Sequence, residues 1–236
     1  LNDLFDLEAD RTHPSKRRRP LASGEMTRTA AFAVIAVMWL ASGLIAVRLG
    51  AAFAGVLAAY VVLMIAYSLR LKHVVLLDAV LLAAGYSARV AAGAVAVSIL
   101  PSTWLIAFCL FLFYSLALIK RYAELTHNRD RQGPSAHARG YEAVDLPVVA
   151  IFGIASGYLA VLVLALYLTS GRTPSALYSQ PMFIGLTAVL LLYWISYLWL
   201  VASRGQMPED PVLFALRDSR SWVLVVLMGI CAWLAV

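Results

Sequence analysis

The sequence predicts an all-α fold, a polytopic bundle of transmembrane helices, and three observations carry that prediction. Of 236 residues, 62% are hydrophobic and only 14% charged, with a mean hydropathy of +0.82, whereas about a quarter of a soluble domain is charged. Apolar stretches long enough to cross a hydrocarbon core, roughly 20 residues each, recur about seven times, at 29–48, 51–69, 75–99, 102–120, 146–169, 181–203 and 219–236. The cations then alternate between connections. Sixteen of the nineteen Lys and Arg residues lie in or beside every second loop, and the opposite connections hold Arg48 and Arg172. Because Lys and Arg mark cytoplasmic loops, the basic loops are expected in the cytoplasm, in a cell (inner) membrane. Stretches between the spans are too short for a separate soluble domain, so residues 1–236 read as one domain.

The first connection carries the strongest chemical signal. Asn2, Asp3, Asp6 and Asp10 precede a basic run, Lys16, Arg17, Arg18 and Arg19. On a helix the three aspartates fall at about 0°, 300° and 340°, so they share a face while Glu8 points away. Clustered carboxylates repel unless a cation joins them, and oxygen-only ligands suit Mg²⁺, which completes its shell with water and substrate phosphate. The basic run can hold the same phosphates. An acidic helix end followed by a solvated basic loop is the alternative. The chain opens on this motif without an initiator Met, from which further transmembrane helices are expected upstream.

Thr27 is placed to cap the next helix, and 30–47 is uniformly apolar apart from Ser42, as lipid-facing scaffold is. The helix from Ala51 ends in Tyr67, Arg70, Lys72 and His73, which reads equally as interfacial anchoring. The span 74–98 carries Asp78 near its cytoplasmic end and Arg89 at its middle. An arginine there costs at least a few kcal/mol and marks a functional site by default. Asp78, Gly85, Arg89 and Gly93 fall on one face, which fits a water-accessible cavity. An internal ion pair between Arg89 and a carboxylate of another helix is the alternative. Pro101 opens the following helix, which runs to Lys120-Arg121-Tyr122-Ala123-Glu124, with Lys120 and Glu124 spaced to pair along it. Residues 126–141 read as a polar loop, either a cap over a substrate or a linker. Tyr158, Tyr167, Tyr193, Tyr197 and Trp199 read as interface belt and packing, and Arg217 beside Asp218 as a local pair.

Several function classes are excluded. Cys109 and Cys231 sit inside apolar spans and form no disulfide or zinc pattern. His13, His73, His127 and His137 lie in loops or at helix ends with no shared metal spacing. The net charge of +6 belongs to topology, and without a base-stacking platform nucleic acid is not an expected partner. The lipid bilayer is, and a homo-oligomer is left open.

Together these motifs resemble the UbiA-type intramembrane prenyltransferase superfamily. NDLFDLEADRTHPSKRRRPLASG is similar to its first aspartate-rich motif, NDxxDxxxD with a basic, proline-containing loop. YSLRLK is similar to its tyrosine-lysine element, with spacing Tyr-x4-Lys in place of Tyr-x3-Lys. The resemblance covers essentially the whole chain and implies a UbiA-like bundle with about seven of nine helices present. Most members carry a second aspartate-rich motif where this chain has KRYAE. That departure, with PEDPVLFALRD and the glycine-rich helix around Arg89, resembles the decaprenyl-phosphate phosphoribosyltransferase branch.

The resemblance implies transfer of a 5-phosphoribosyl group from phosphoribosyl diphosphate to a polyprenyl phosphate, or, in the main branch, of a polyprenyl group from its diphosphate to an aromatic acceptor such as 4-hydroxybenzoate. Mg²⁺ is then expected on Asp3, Asp6 and Asp10. Asp3, Asp6, Lys72 and Lys120 are the expected catalytic residues. Asn2, Lys16, Arg17, Arg19, Tyr67, Asp78, Arg89, Arg121, Tyr122 and Glu124 are the expected substrate contacts.

Overall fold

The computed structural model describes residues 4, 7–12, 16–130, 140–169, 180–208 and 210–235. Among these residues every regular element is helical, and the chain falls into two compact units, Leu1–Lys72 with Ala92–Ile99 and His73–Ala91 with Leu100–Val236.

In the first unit, α1 (Leu7–Thr12), a 3₁₀ turn (Lys16–Arg18) and α2 (Pro20–Ser23) precede two long helices, α3 (Arg28–Leu49) and α4 (Ala51–Leu69). Pro20 starts α2, where its missing N–H and fixed φ cost nothing. Leu7, Leu21 and Ala31 bury one another, tying the short helices to the start of α3. Thr27 caps α3 as expected, its hydroxyl accepting from the Ala30 amide at 3.2 Å. Gly50 makes the turn into α4, which ends at a second 3₁₀ turn, Leu71–His73. Phe32, Leu40, Leu44 and Val47 all stand exposed on α3. A helix that is apolar all round belongs in lipid.

The second unit begins with α5 (Leu77–Ala96), whose residues up to Ala91 belong to it, and continues with α6 (Thr103–Asp130), α7 (Leu146–Thr169), α8 (Pro181–Ser203), α9 (Pro211–Arg217) and α10 (Ser219–Ala235). Leu118, Ile119, Ile195 and Leu198, from α6 and α8, are fully buried. Helix α7 fits between them because it offers small residues. A Cβ on Gly153 would lie 2.0 Å from Trp199 Cζ2, and one on Gly157 would lie 2.6 Å from Ile195 Cγ2. Ser156 donates to the Phe111 carbonyl at 2.8 Å and the Trp199 indole to Ser115 Oγ at 3.1 Å, so the polar groups at this contact are satisfied.

Among the described residues six helices are long and apolar enough to cross a membrane, seven if α9 and α10 count as one span bent by 81°. The protein is an integral membrane protein, and the predicted spans agree with these helices at most boundaries. Two differences are informative. Helix α6 continues to Asp130 because its polar extension still satisfies its own backbone, with Thr126 Oγ1 donating to the Tyr122 carbonyl at 2.9 Å. The remainder of the predicted polar loop, 131–139, lies outside the described residues. The last connection holds α9, started by Pro211 and capped by Asp210, which accepts from the amides of Val212 and Leu213. Asp218, expected to pair with Arg217, instead accepts from Tyr197 and caps α10 through Ser221.

Gly153→Ala forces either Trp199 or the backbone of α7 to move. We expect it to lower stability by about 1–3 kcal/mol, read as a shifted unfolding midpoint in detergent, whereas Gly185→Ala, with open space around its Cβ position, should leave the midpoint within about 0.5 kcal/mol.

Candidate functional site

The first unit positions the acidic motif. Asn2, Asp3 and Asp6 lie outside the described residues. Asp10, on α1, is buried, and its Oδ2 accepts from Arg19 Nη1 at 2.7 Å. The turn Lys16–Arg18 leads into Arg19, the residue before α2, which reaches back to Asp10 on the acidic helix. Arg17 and Arg18 are exposed. Glu8, predicted to point away, is exposed and meets Arg11 and Arg28 at the surface. Tyr67, at the end of α4, and Lys72, in the following 3₁₀ turn, are both buried.

The second unit builds a polar cluster from three separate chain segments. Asp78, in the first turn of α5, is completely buried, and its Oδ2 lies 2.5 Å from Arg121 Nε. Arg121, 2% exposed on α6, also donates through Nη1 to Glu124, one turn on. Glu124 therefore pairs with Arg121, the residue next to its predicted partner. The phenol of Tyr141, 3% exposed, completes the cluster, donating to Asp78 Oδ1 at 2.7 Å and accepting from the Leu76 amide at 2.9 Å.

The backbone is shaped to permit this. Leu76 has φ +64°, a left-handed conformation that costs a bulky side chain about 1–3 kcal/mol, and the bond from its amide to Tyr141 helps to hold it there. Gly140 has φ +83°, and a Cβ there would lie 3.0 Å from Val75 Cγ2 and 3.2 Å from the His73 carbonyl. Glycine thus lets the chain lie directly on the turn that precedes α5. Burial, and then the hydrogen bond to Asp78, push the Tyr141 phenol well above its ordinary value of 10.0.

The other predicted residues are placed as follows. Arg89 stacks over the Tyr86 ring at 4.8 Å, and Tyr86 leans on Phe113. The predicted stripe divides, since Asp78 and Gly85 are buried while Arg89 and Gly93 are exposed. Lys120 is half-buried, and Tyr122 packs edge-on against Trp199 with ring centroids 5.9 Å apart. Tyr141 was missed by sequence reasoning. Its signal, a Gly-Tyr pair closing a polar stretch, looks like an ordinary loop end until its partner 63 residues away is known.

The UbiA prenyltransferase family matches residues 1–217. The chain belongs to this family. Membership places it among membrane-embedded transferases and agrees with the all-α bundle of six to seven spans. An uncharacterized protein y4nM of Sinorhizobium fredii is 35% identical over 97% of the chain and 44% of its own length, so the chain spans under half of that relative. Nodulation protein NoeC of Azorhizobium caulinodans is 35% identical over 96% of the chain and 73% of its own length. A decaprenyl-phosphate phosphoribosyltransferase of Mycobacterium tuberculosis is 29% identical over 100% of the chain and 74% of its own length.

Arg121→Leu leaves Asp78 charged and uncompensated in a buried site, and should cost about 3–5 kcal/mol in unfolding measurements. The pH dependence follows from Tyr141. Its folded value stands above the ordinary 10.0, so its contribution is complete below about pH 10 and is lost as pH rises through the folded value. Stability should fall in that alkaline window, and Tyr141→Phe should flatten the fall.

Proposed function

We propose that this protein is a Mg²⁺-dependent transferase that moves a 5-phosphoribosyl group from phosphoribosyl diphosphate to a polyprenyl phosphate. Residues 1–236 would act as one catalytic domain, with the chemistry on the cytoplasmic face of the inner membrane. The observation that carries the reading is the cationic KRYAE at the C-terminal part of α6, in place of the second aspartate-rich motif of most family members. Relatives named for phosphoribosyl transfer support it, one of them aligned over the whole chain.

In the reaction, the bond from ribose C1 to the diphosphate breaks and a bond from C1 to the lipid phosphate oxygen forms, with diphosphate leaving. The acceptor is already an anion, so positioning matters more than a general base. Asp3 and Asp6 would hold Mg²⁺, which when bound draws off the charge of the departing diphosphate. The donor set fits a hard ion, being carboxylate oxygen throughout. Asp10 is committed to Arg19 in the structure, so its part would be to hold that arginine close to α1. Asn2, Lys16, Arg17 and Arg19 would bind diphosphate oxygens.

Lys72, Arg89 and Lys120 would divide the donor 5-phosphate and the lipid phosphate between them, with Tyr67 and Tyr122 donating hydrogen bonds. Arg121, enclosed by Asp78 and Glu124, would serve by fixing the helix end on which Lys120 and Tyr122 stand. Electrostatic stabilisation of the leaving group is the largest contribution expected of such a site.

The test is the full-length protein in liposomes with Mg²⁺ and labelled phosphoribosyl diphosphate. Label should enter a lipid phosphate, and Asp3→Ala or Asp6→Ala should lower turnover by about 10²-fold or more in protein that remains folded. No incorporation, together with turnover of a polyprenyl diphosphate with 4-hydroxybenzoate, would replace this reading with prenyl transfer.

A further inference from the structure

We infer that Tyr141 is a positioning residue for the transfer reaction, acting through Asp78 and Arg121 on the helix end that carries Lys120 and Tyr122. The inference rests on the reading that those two residues meet substrate phosphates.

A carboxylate and a guanidinium left to themselves favour a forked contact with two parallel hydrogen bonds. Here Tyr141 competes for one of the two oxygens. Its phenol occupies Asp78 Oδ1 at 2.7 Å, so Oδ2 is the oxygen that meets Arg121, at Nε. The Nη1 edge of the same guanidinium is then directed to Glu124. The phenol is itself held, since it also accepts from the Leu76 amide at 2.9 Å and the preceding Gly140 lies against the His73–Val75 turn. Every member of the chain is buried except Glu124, whose side chain is 30% exposed.

Removing the hydroxyl leaves Asp78 free to rotate and take the guanidinium with both oxygens, which draws Arg121 away from Glu124. Arg121 ties the end of α6 to the start of α5, and Lys120 and Tyr122 stand on that same helix end, so a changed hold on Arg121 reaches both through the backbone of α6. Contacts to a bound phosphate are sensitive to displacements of this size, and a shift of 1 Å at a positioning group costs up to about 10²-fold.

Tyr141→Phe in the full-length protein tests this. The KM for phosphoribosyl diphosphate should rise about 5- to 10-fold with kcat within about 2-fold, since an interaction already made in the ground state is what is lost. In the Arg121→Lys background, where the guanidinium fork is absent, Tyr141→Phe should add less than about 2-fold, the non-additivity of residues that act through one another. An unchanged KM, or effects that multiply, would overturn the inference and leave Tyr141 a packing residue, whatever happens to the unfolding midpoint. Should Tyr141→Phe not fold, 3-fluorotyrosine and 3,5-difluorotyrosine at 141 keep the hydroxyl while grading its acidity. A KM that follows that acidity supports the role, and a flat KM rejects it. If the wild type turns over a polyprenyl diphosphate in place of phosphoribosyl diphosphate, the proposed reaction fails, and the same KM ratio measured on the prenyl donor still decides the role of Tyr141.

Discussion

A buried arginine that faces two carboxylates governs the second unit. Arg121 brings a full charge into a site from which water is excluded, a cost of several kcal/mol that attraction to one partner does not reliably offset. Two carboxylate partners, and a phenol that donates to Asp78, change that balance by setting opposite charge and a hydrogen-bond donor around the pair. The consequence is mutual dependence. The α5 start, the α6 end and the segment at Tyr141 hold their places through one set of bonds, and losing any member exposes a charge or a dipole to an environment that cannot solvate it.

This dependence explains the local backbone. The left-handed Leu76 would be unfavourable in isolation, and it persists where the phenol takes its amide and Gly140 lets the neighbouring chain lie flat against it. The apolar contact among α6, α7 and α8 supplies the rigidity. Trp199 fills the space that Gly153 leaves open and also meets Tyr122 edge-on, one residue from Arg121. Packing and polar network therefore converge on the same turn of α6.

The spans were legible in the sequence because hydropathy is a property of single segments, and a stretch such as 51–69 needs no partner to declare itself. Thr27 was legible for the same reason, since a cap is local. Helix α9 was not, because seven residues opened by a proline within a polar connection give too short a period to separate from a loop. Periodicity put Asp78 and Arg89 on one face of α5, but it cannot say which neighbouring helix that face meets. The structure gives Asp78 to Arg121 and stacks Arg89 on Tyr86. Asp218 followed the same pattern, its partner being Tyr197 across the bundle and not its sequence neighbour. Of the acidic motif, Asp10 alone among the three aspartates is described, and its bond to Arg19 shows the basic run folded back on α1.

The charge at the end of α6 also bears on how many metal sites the protein needs. Taken as sequence, Lys120-Arg121 is doubly cationic. In the structure Arg121 is matched by Asp78 and Glu124, so the four ionised groups Asp78, Lys120, Arg121 and Glu124 carry no net formal charge. A Mg²⁺ site needs carboxylates able to turn toward the ion, and both carboxylates here are already committed to a guanidinium. Among the described residues no group of three or more His, Cys, Asp or Glu side chains could hold a metal. Under the proposed transfer, in which both substrates present phosphate groups, one would be met through Mg²⁺ on the acidic stretch and the other through cations and hydrogen-bond donors. A helix end of this kind suits the second task, because Asp78 is already engaged by Arg121 and the buried pair holds the helix still.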